Sequence, residues 1–207
     1  MELIDAVFVV TIIMFSAVIH EVMHGVVADR LGDPTARLAG RLTLNPIPHL
    51  DPIGSIMLPI FFTLVNSPIF FGYAKPVPYN PYNLKPGRFS EAFVAGAGPA
   101  SNAAIAILAS LIIRLNIFPE SNGVIFLIVV VNVMLCIFNL IPVPPLDGSK
   151  VFEALLPKKL GHVYGIWRRR MEYSPFMGMG IILIIIVVLG GAFGSFIRSI
   201  AQSLAGF

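Results

Sequence analysis

The stretch HEVMH, residues 20–24, brings two imidazoles and a carboxylate together within about one helical turn. His20 and His24 are four positions apart, so on a helix both side chains lie on one face and can bind the same ion. Glu21 is offset from that face by one residue, which suits it to take a proton from a metal-bound water instead of ligating the metal. The spacing is therefore typical of half of a hydrolytic zinc site.

A largely apolar run, residues 3–19, leads directly into this motif, and the two together are long enough to cross a bilayer. Ionisable side chains in a membrane helix cost about 2.5–3.5 kcal/mol each on insertion scales, so they call for a functional explanation. The alternative is that the three groups reach interfacial water at a helix end. A third ligand at the same depth would favour the metal site.

A candidate third ligand lies in NLIPVPPLDGSK, residues 139–150. Three prolines end the preceding helix and let the backbone turn Asp147 toward a metal. Catalytic zinc sites commonly use three protein ligands and keep one position for water. We predict that His20, His24 and Asp147 bind one zinc ion per chain. The alternative for the aspartate is an ordinary turn residue.

The composition, 57% hydrophobic and 12% charged, is that of a membrane protein, and 207 residues are enough for one domain. The single cysteine, Cys136, excludes an internal disulfide and a cysteine-based zinc cluster, and its apolar setting is typical of a small buried hydrophobe. No repeat, low-complexity tail or basic groove suggests nucleic acid. The acidic start MELID is unlike a cleavable signal peptide, so we expect the first helix to be retained.

The apolar runs predict an all-α polytopic membrane protein with about four full transmembrane helices. The four runs are Leu3 to about Val27, Phe89–Leu115, Val124–Ile141 and Phe176 to about Ile197. A fifth run, Pro52–Tyr73, is interrupted by Pro59 and Pro68. Because proline removes a backbone donor that lipid cannot replace, we expect a short proline-broken or re-entrant membrane segment there.

Two segments between the first two runs mix alternating apolar residues with Pro, Asn and Gly, which predicts small strand and turn elements at the cytoplasmic face. They are residues 36–51 and 71–89. Their extended parts, residues 42–50 and 72–79, could hold an unwound substrate strand by edge pairing, with surface packing as the alternative. His49 and His162 lie in polar surroundings and are expected at the solvated surface.

The distribution of positive charge predicts how the chain is oriented across the membrane. All 14 lysines and arginines except Arg114 and Arg198 fall on one side of a four-span map, which marks that side as cytoplasmic. A basic connector on that side, residues 149–174, is predicted to include a short amphipathic interfacial helix. The map makes the first and third spans parallel, so Asp147 lies at the depth of the HEVMH motif. If Pro52–Tyr73 crossed the bilayer fully, every later span would be reversed, and Asp147 would lie on the opposite side from the HEVMH motif.

HEVMH followed by NLIPVPPLDG resembles the paired signatures, HExxH and NxxPxPxLDG, of the site-2 protease family of intramembrane zinc metalloproteases. Further stretches are similar to its compact bacterial and archaeal branch: DRLGDPTARLAGRLTLNPIPHLDPIGSIMLP, GYAKPVPYNPYNLK and AGAGPASN. No segment of the sequence is long enough for the PDZ or CBS domain of many relatives. The resemblance is thus to a compact form, and the mode of regulation is left open.

The resemblance implies roles for individual residues, with zinc bound by His20, His24 and Asp147 and general base and acid catalysis by Glu21. Asn139 matches the family asparagine that is implicated in holding substrate or polarising its carbonyl. Asn102, in the small-residue stretch GAGPASN, is a further candidate to reach the site. The alternative for that stretch is close helix packing.

The function that follows is hydrolysis of a peptide bond within or near the transmembrane segment of a membrane protein, by a zinc-activated water. We expect a single membrane-embedded protease domain over residues 1–207, with a core at 3–157 and a C-terminal transmembrane helix at about 176–200. The expected setting is multi-pass in a prokaryotic cell membrane, with the active site toward the cytoplasm. The expected partners are the lipid bilayer and a transmembrane protein substrate, with no nucleic acid and a homo-oligomer left open.

Two alternative functions belong to other classes. One is a proteolytically inactive membrane scaffold that binds zinc or substrate, although the intact Glu21 argues against it. The other is a metal transporter, because buried His and Asp also coordinate moving ions. A transporter would show metal ligands at several depths or in inverted repeats, whereas the candidate ligands here cluster at one end of the spans.

Overall fold

The regular elements are α-helices joined by short 3₁₀ and π-helical turns over residues 3–57 and 74–207, which the computed structural model describes. The α-helices are α1 (Leu3–Arg30), α2 (Thr35–Leu38), α3 (Ser90–Arg114), α4 (Asn122–Asn139), α5 (Asp147–Leu155), α6 (Lys158–Glu172) and α7 (Pro175–Ala205). The 3₁₀ turns are Ile47–His49, Pro81–Asn83 and Pro119–Ser121. The all-α prediction is confirmed for these residues.

Three described segments are long and apolar enough to cross a bilayer: Val7–Arg30, Ser90–Arg114 and Pro119–Asn139, of 24, 25 and 21 residues. At about 1.5 Å per residue, each reaches the hydrocarbon thickness of about 30 Å. They coincide with the first three predicted runs. The fourth predicted run lies in α7, a 31-residue helix whose crossing of the bilayer stays a prediction.

The chain divides into two compact units, Met1–Lys85 and Pro86–Phe207. The first contains α1, α2 and the connections that follow them, and the second contains α3 to α7. The predicted single protease domain over residues 1–207 stays a prediction.

The core of the second unit lies between α3, α4 and α7. It is built largely from alanine and β-branched residues: Ala106, Ala109, Ile113, Val129, Val133, Ile197, Ala201 and Ala205. Small side chains let helix backbones approach closely where lipid offers no hydrophobic drive between helices. A buried hydrogen bond from the Asn102 amide to Asn132 Oδ1, at 2.8 Å, joins α3 to α4 within this packing.

Arg114 joins the ends of α3 and α7. Its Nε donates to the carbonyl of Leu204 and its Nη2 to that of Ser203, both at 2.6 Å. The last carbonyls of a helix have no partner within the helix, and a cation beside them also interacts favourably with the helix dipole. Because both helices end beside this residue, α3 and α7 run in the same direction. The four-span map requires this of the second and fourth spans.

The basic connector forms two helices, α5 and α6, and contains a buried ion cluster. Arg168 is 4% exposed, and its guanidinium pairs with Glu153 at 2.6 Å, Glu172 at 3.0 Å and Glu91 at 3.3 Å. Burial alone would lower the pKa of Arg168, but the hydrogen bond that it donates to Glu153 and the three acidic charges raise its pKa above the ordinary value. This charged residue therefore fastens α6 to α3 and α5 instead of facing solvent.

The strands predicted in the first unit are absent from the described residues, which corrects the sequence analysis. Residues 42–50 form bends and the Ile47–His49 turn, and residues 74–79 are irregular. The cause is proline, which occupies positions 46, 48, 76 and 78 and cannot donate to a strand ladder. The proposed edge pairing of an unwound substrate therefore has no regular strand in these residues.

The proline-broken run begins with a π-helical turn, Pro52–Met57. The Asp51 side chain accepts hydrogen bonds from the amides of Ile53 at 3.0 Å and Gly54 at 2.7 Å, and thus caps this turn. The rest of the run, residues 58–73, lies outside the described residues. The predicted re-entrant segment therefore stays a prediction.

Candidate active site

The two imidazoles of the HEVMH motif lie side by side on α1. His20 and His24 are 6% and 8% exposed, and their ring centroids are 4.7 Å apart with nearly perpendicular planes. Unbroken helix from Leu3 to Arg30 sets the one-turn spacing of the pair. Two buried nitrogen donors so placed fit one side of a zinc site, in which Zn–N distances are about 2.0–2.1 Å.

Glu21 is held by backbone from a distant part of the first unit. Its Oε2 accepts a hydrogen bond of 2.9 Å from the amide of Val77. Val77 is buried, whereas Glu21 is half-buried. Because the bond fixes one carboxylate oxygen, this side chain has fewer accessible rotamers than a glutamate in free solvent. The carboxylate is thereby oriented on the same helical turn as the histidine pair.

Gly25, directly after the motif, lets the segment that carries Val77 approach α1. A Cβ at this position would lie 2.6 Å from Leu42 Cδ2, 2.8 Å from Val77 Cγ1 and 2.9 Å from Ala36 Cβ. Real side chains do not approach so closely, so only glycine leaves room for all three neighbours. The absence of a side chain at Gly25 therefore permits the position from which the Val77 amide reaches Glu21.

Substitution of Gly25 with alanine is expected to lower the free energy of unfolding by about 1–3 kcal/mol, the usual range for overpacking a filled site. Thermal unfolding in detergent micelles measures this effect. Gly123→Ala is the matched control, since a Cβ there meets nothing within 4 Å. Equal unfolding temperatures for the two variants would contradict the packing argument.

A buried aspartate fixes the chain just beyond Val77. Asp33 is fully buried, and its carboxylate accepts hydrogen bonds from the Asn80 amide at 2.6 Å and the Asn83 side chain at 2.9 Å. Thr35 donates through both its amide and its hydroxyl. Burial opposes ionisation of Asp33, but these hydrogen bonds outweigh it and hold the pKa of the carboxyl below its ordinary value. The charged Asp33 thus links the end of α1 to the segment after Val77.

In the second unit, Asp147 is the first residue of α5 and is half-buried. α4 ends at Asn139, two residues before the predicted end at Ile141 and ahead of the three prolines. The connecting loop folds back over the start of α5: a Cβ on Gly148 would lie 2.6 Å from the Ile141 carbonyl oxygen and closer still to the Leu140 carbonyl. Glycine is therefore required beside the predicted ligand.

Tyr164 holds this loop from α6. Its hydroxyl donates a hydrogen bond of 2.9 Å to the carbonyl of Pro142. Burial raises the pKa of Tyr164 to about 12; the Arg168 charge opposes this shift, and the charges of Glu153 and Glu172 add to it. The phenol therefore keeps its proton at neutral pH and remains a donor. Sequence analysis missed this residue, because its partner is a backbone carbonyl that no spacing pattern marks.

The two asparagines have local partners. Asn139, at the end of α4, donates from its amide to the Leu135 carbonyl one turn earlier, at 2.9 Å. Asn102 is fully buried and bonded to Asn132, which supports the helix-packing interpretation of GAGPASN. A contact of either asparagine with substrate stays a prediction.

The histidine pair with its oriented glutamate, and the loop that presents Asp147, can be compared with known proteins. The family model described as "Peptidase family M50" matches residues 120–185, which include that loop. Over 196 residues the chain is 34% identical to a Bacillus subtilis protein named "Putative zinc metalloprotease YwhC". The match covers 90% of this chain and 83% of the relative. The chain belongs to peptidase family M50, the site-2 protease family.

Further relatives match less of the chain. A Mycolicibacterium smegmatis protein named "Putative zinc metalloprotease Rip2" is 30% identical over 144 residues, or 68% of this chain and 54% of the relative. A protein of the same name from Mycobacterium tuberculosis is 32% identical over the same length. No solved structure matches the chain. Zinc is the metal that the M50 family uses, in agreement with the donor chemistry of His20 and His24.

Proposed function

We propose that this M50 protein is an intramembrane zinc endopeptidase that hydrolyses a peptide bond within or near the transmembrane segment of a membrane protein. The observation that carries the proposal is the arrangement on α1. Two buried imidazoles, His20 and His24, flank a glutamate that the Val77 amide orients, on a helix long and apolar enough to cross a bilayer.

The proposed ligand set is His20, His24 and Asp147, holding one zinc ion per chain. Two features support the aspartate as the third ligand. It begins α5 inside the signature stretch NLIPVPPLDG, and Gly148 and Tyr164 fix the backbone around it. Three protein ligands leave one coordination position for water or substrate, as hydrolytic zinc sites require.

Glu21 is the proposed general base and acid. When bound, zinc lowers the pKa of its water to about 7 and polarises the scissile carbonyl. Glu21 accepts the proton of the attacking water and delivers it to the leaving amine. The Val77 amide keeps one carboxylate oxygen fixed throughout, so the proton-accepting oxygen does not have to find its orientation in each turnover. Asn139 is proposed to hold substrate or to donate to the developing oxyanion, an effect of about 3–4 kcal/mol per donor elsewhere.

The depth of the site sets the kind of substrate. The 17 residue-to-residue steps of helix from Leu3 to His20 span about 26 Å of a hydrocarbon core about 30 Å thick. The catalytic residues are therefore proposed to lie inside the bilayer near the cytoplasmic surface, on the side that the positive charges mark. A substrate helix has its carbonyls engaged in its own hydrogen bonds, so it must unwind locally before hydrolysis. Substrates with helix-breaking residues near the cut site should be preferred.

Zinc removal tests this proposal. Protein reconstituted in liposomes with a single-span test substrate is expected to lose cleavage when a chelator removes its zinc, and to regain it when one equivalent of zinc is returned. Mass spectrometry of the products should place the cut within or next to the transmembrane segment. Undiminished cleavage by protein shown to be free of zinc would refute the mechanism. Zinc flux into the same liposomes, without cleavage, would instead favour the transporter.

A further inference from the structure

The segment that supplies the Val77 amide has little regular structure of its own. Residues 74–79 belong to no helix, and Pro76 and Pro78 carry no amide hydrogen. Such a segment cannot hold a fixed position through a strand ladder. Other contacts must therefore set the position of the Val77 amide, which binds Glu21.

Arg41 supplies the first of these contacts. It is 8% exposed, and its Nη2 donates to the carbonyl of Lys75 at 2.8 Å and reaches that of Pro76 at 3.4 Å. These are the two peptide units directly before Val77. Arg41 thus holds the backbone from which the Val77 amide projects toward Glu21.

His49 supplies the second contact from the other side of the segment. Its carbonyl accepts a hydrogen bond of 2.9 Å from the Lys75 amide, so both backbone groups of that residue are engaged. The His49 ring is 1% exposed, with Nε2 3.0 Å from the Thr43 carbonyl. The predicted surface position of this histidine is therefore wrong: its polar neighbours are internal backbone groups.

We propose that Arg41 is a positioning residue for the general base of this enzyme. Through the carbonyls of residues 75 and 76 it fixes the Val77 amide, and through that amide it fixes the carboxylate of Glu21. The inference rests on the proposed function, since it assigns Arg41 a role only if Glu21 moves the proton. The proposed role of Arg41 is indirect: it acts through the backbone and needs no contact with substrate or reacting atoms.

The chemistry of arginine fits this role better than a merely structural one. A buried guanidinium costs desolvation energy, and apolar residues of similar volume often replace buried charges without loss of stability. What arginine adds is a planar group whose Nη2 carries two hydrogens in fixed directions, so that this one nitrogen can reach two neighbouring carbonyls at once. A lysine carries its charge as a single point on a flexible stem, so it should hold one carbonyl and leave the other less constrained.

Kinetics of matched variants give the first test. Arg41→Met should lower kcat by about 10- to 100-fold, because small misplacements of a catalytic group have effects of that order, while KM and zinc content stay unchanged. Arg41→Lys should restore part of the loss. Arg37→Met, four residues earlier, is the control: Arg37 is 65% exposed and pairs with Asp29, away from this segment. It should cleave as the wild type does.

Hydrogen exchange of the zinc-free protein gives a readout that does not depend on activity. A peptide that begins at Ala74 and ends at Tyr79 reports only the amides of Lys75, Val77 and Tyr79, because its first residue is an amine and the two prolines have no amide hydrogen. Arg41→Met should accelerate exchange in this peptide by about tenfold or more, since the contacts that keep it closed are lost. Arg37→Met should leave exchange unchanged, and Glu21→Ala should accelerate the Val77 amide alone.

The outcomes separate the inference from the proposed function. Unchanged kcat in Arg41→Met, or reduced kcat without faster exchange at residues 75–79, overturns the positioning role. Full activity of a Glu21 variant overturns the proposed function instead, whatever Arg41 does. If Arg41→Met does not fold, Arg41→Lys decides: intermediate exchange together with intermediate kcat supports the role, and wild-type values of both overturn it.

Discussion

Replacement of Glu21 with glutamine is expected to lower the cleavage rate by about 100- to 10,000-fold, the range that general acid–base groups contribute. Zinc content should stay at one ion per chain, because the glutamate is not a proposed ligand. Glutamine keeps an oxygen that can accept the Val77 amide hydrogen, so the side chain can retain its place while losing its ability to take a proton. The variant therefore tests the loss of proton transfer while the side chain at position 21 keeps its place.

The measurement is single-turnover cleavage of a single-span substrate in liposomes, with zinc determined by elemental analysis. Glu120→Gln is the control, since Glu120 is exposed in the Pro119–Ser121 turn. Wild-type cleavage by Glu21→Gln would assign the proton to another group. A wild-type protein that binds zinc but cuts no tested transmembrane substrate would favour the inactive scaffold.

The long helices could be predicted because lipid leaves the chain few choices. An apolar run of about 20 residues must satisfy its backbone internally, and a helix is the solution that one segment can reach alone. α1, α3 and α4 accordingly begin and end within a few residues of the runs that predicted them. The histidine pair could be predicted for a related reason, since its geometry depends only on the helix that carries it.

The surface segments of the first unit could not be predicted in the same way. Alternating apolar residues suggested strands, but four prolines in these segments lack the amide hydrogens that a strand ladder needs. What fixes these segments is a set of buried polar groups, Arg41, His49 and Asp33, each bonded to backbone far along the chain. Such contacts do not recur at a regular spacing in the sequence. The only sign of them was that strongly polar residues lay among residues that would be buried.

The connector shows the same limit in the second unit. Its arginines were assigned to the cytoplasmic side from their charge, but the sequence did not show that Arg168 is buried among three glutamates. Charge sign alone predicts on which side of the membrane a residue lies, and it says nothing about whether acidic partners from other helices surround it. The partners Glu91 and Glu153 are distant in sequence, so the cluster became visible only once α3, α5 and α6 were placed.

A second large effect is expected from Gly148→Ala. The added Cβ would lie 2.6 Å from the Ile141 carbonyl oxygen and closer to the carbonyl of Leu140, and backbone groups cannot swing aside as a flexible side chain can. The loop must shift, and Asp147 shifts with it. We expect cleavage to fall by about 100-fold or more, as displacements near 1 Å at a catalytic site can do, together with weaker zinc binding.

Two comparison variants make the zinc measurement decisive. Gly96→Ala is the control, since Gly96 is a half-buried helix glycine in the same unit and a Cβ there would meet only Val151 Cγ2, at an ordinary 3.9 Å. Asp147→Ala removes the proposed ligand and leaves the loop backbone intact, so it should lose zinc affinity without the loss of folding stability expected of Gly148→Ala. If Asp147→Ala retained wild-type zinc affinity, the third ligand would have to lie elsewhere. The effect of Gly148→Ala on activity would then be assigned to packing, since Asp147 would not transmit the backbone shift to the metal.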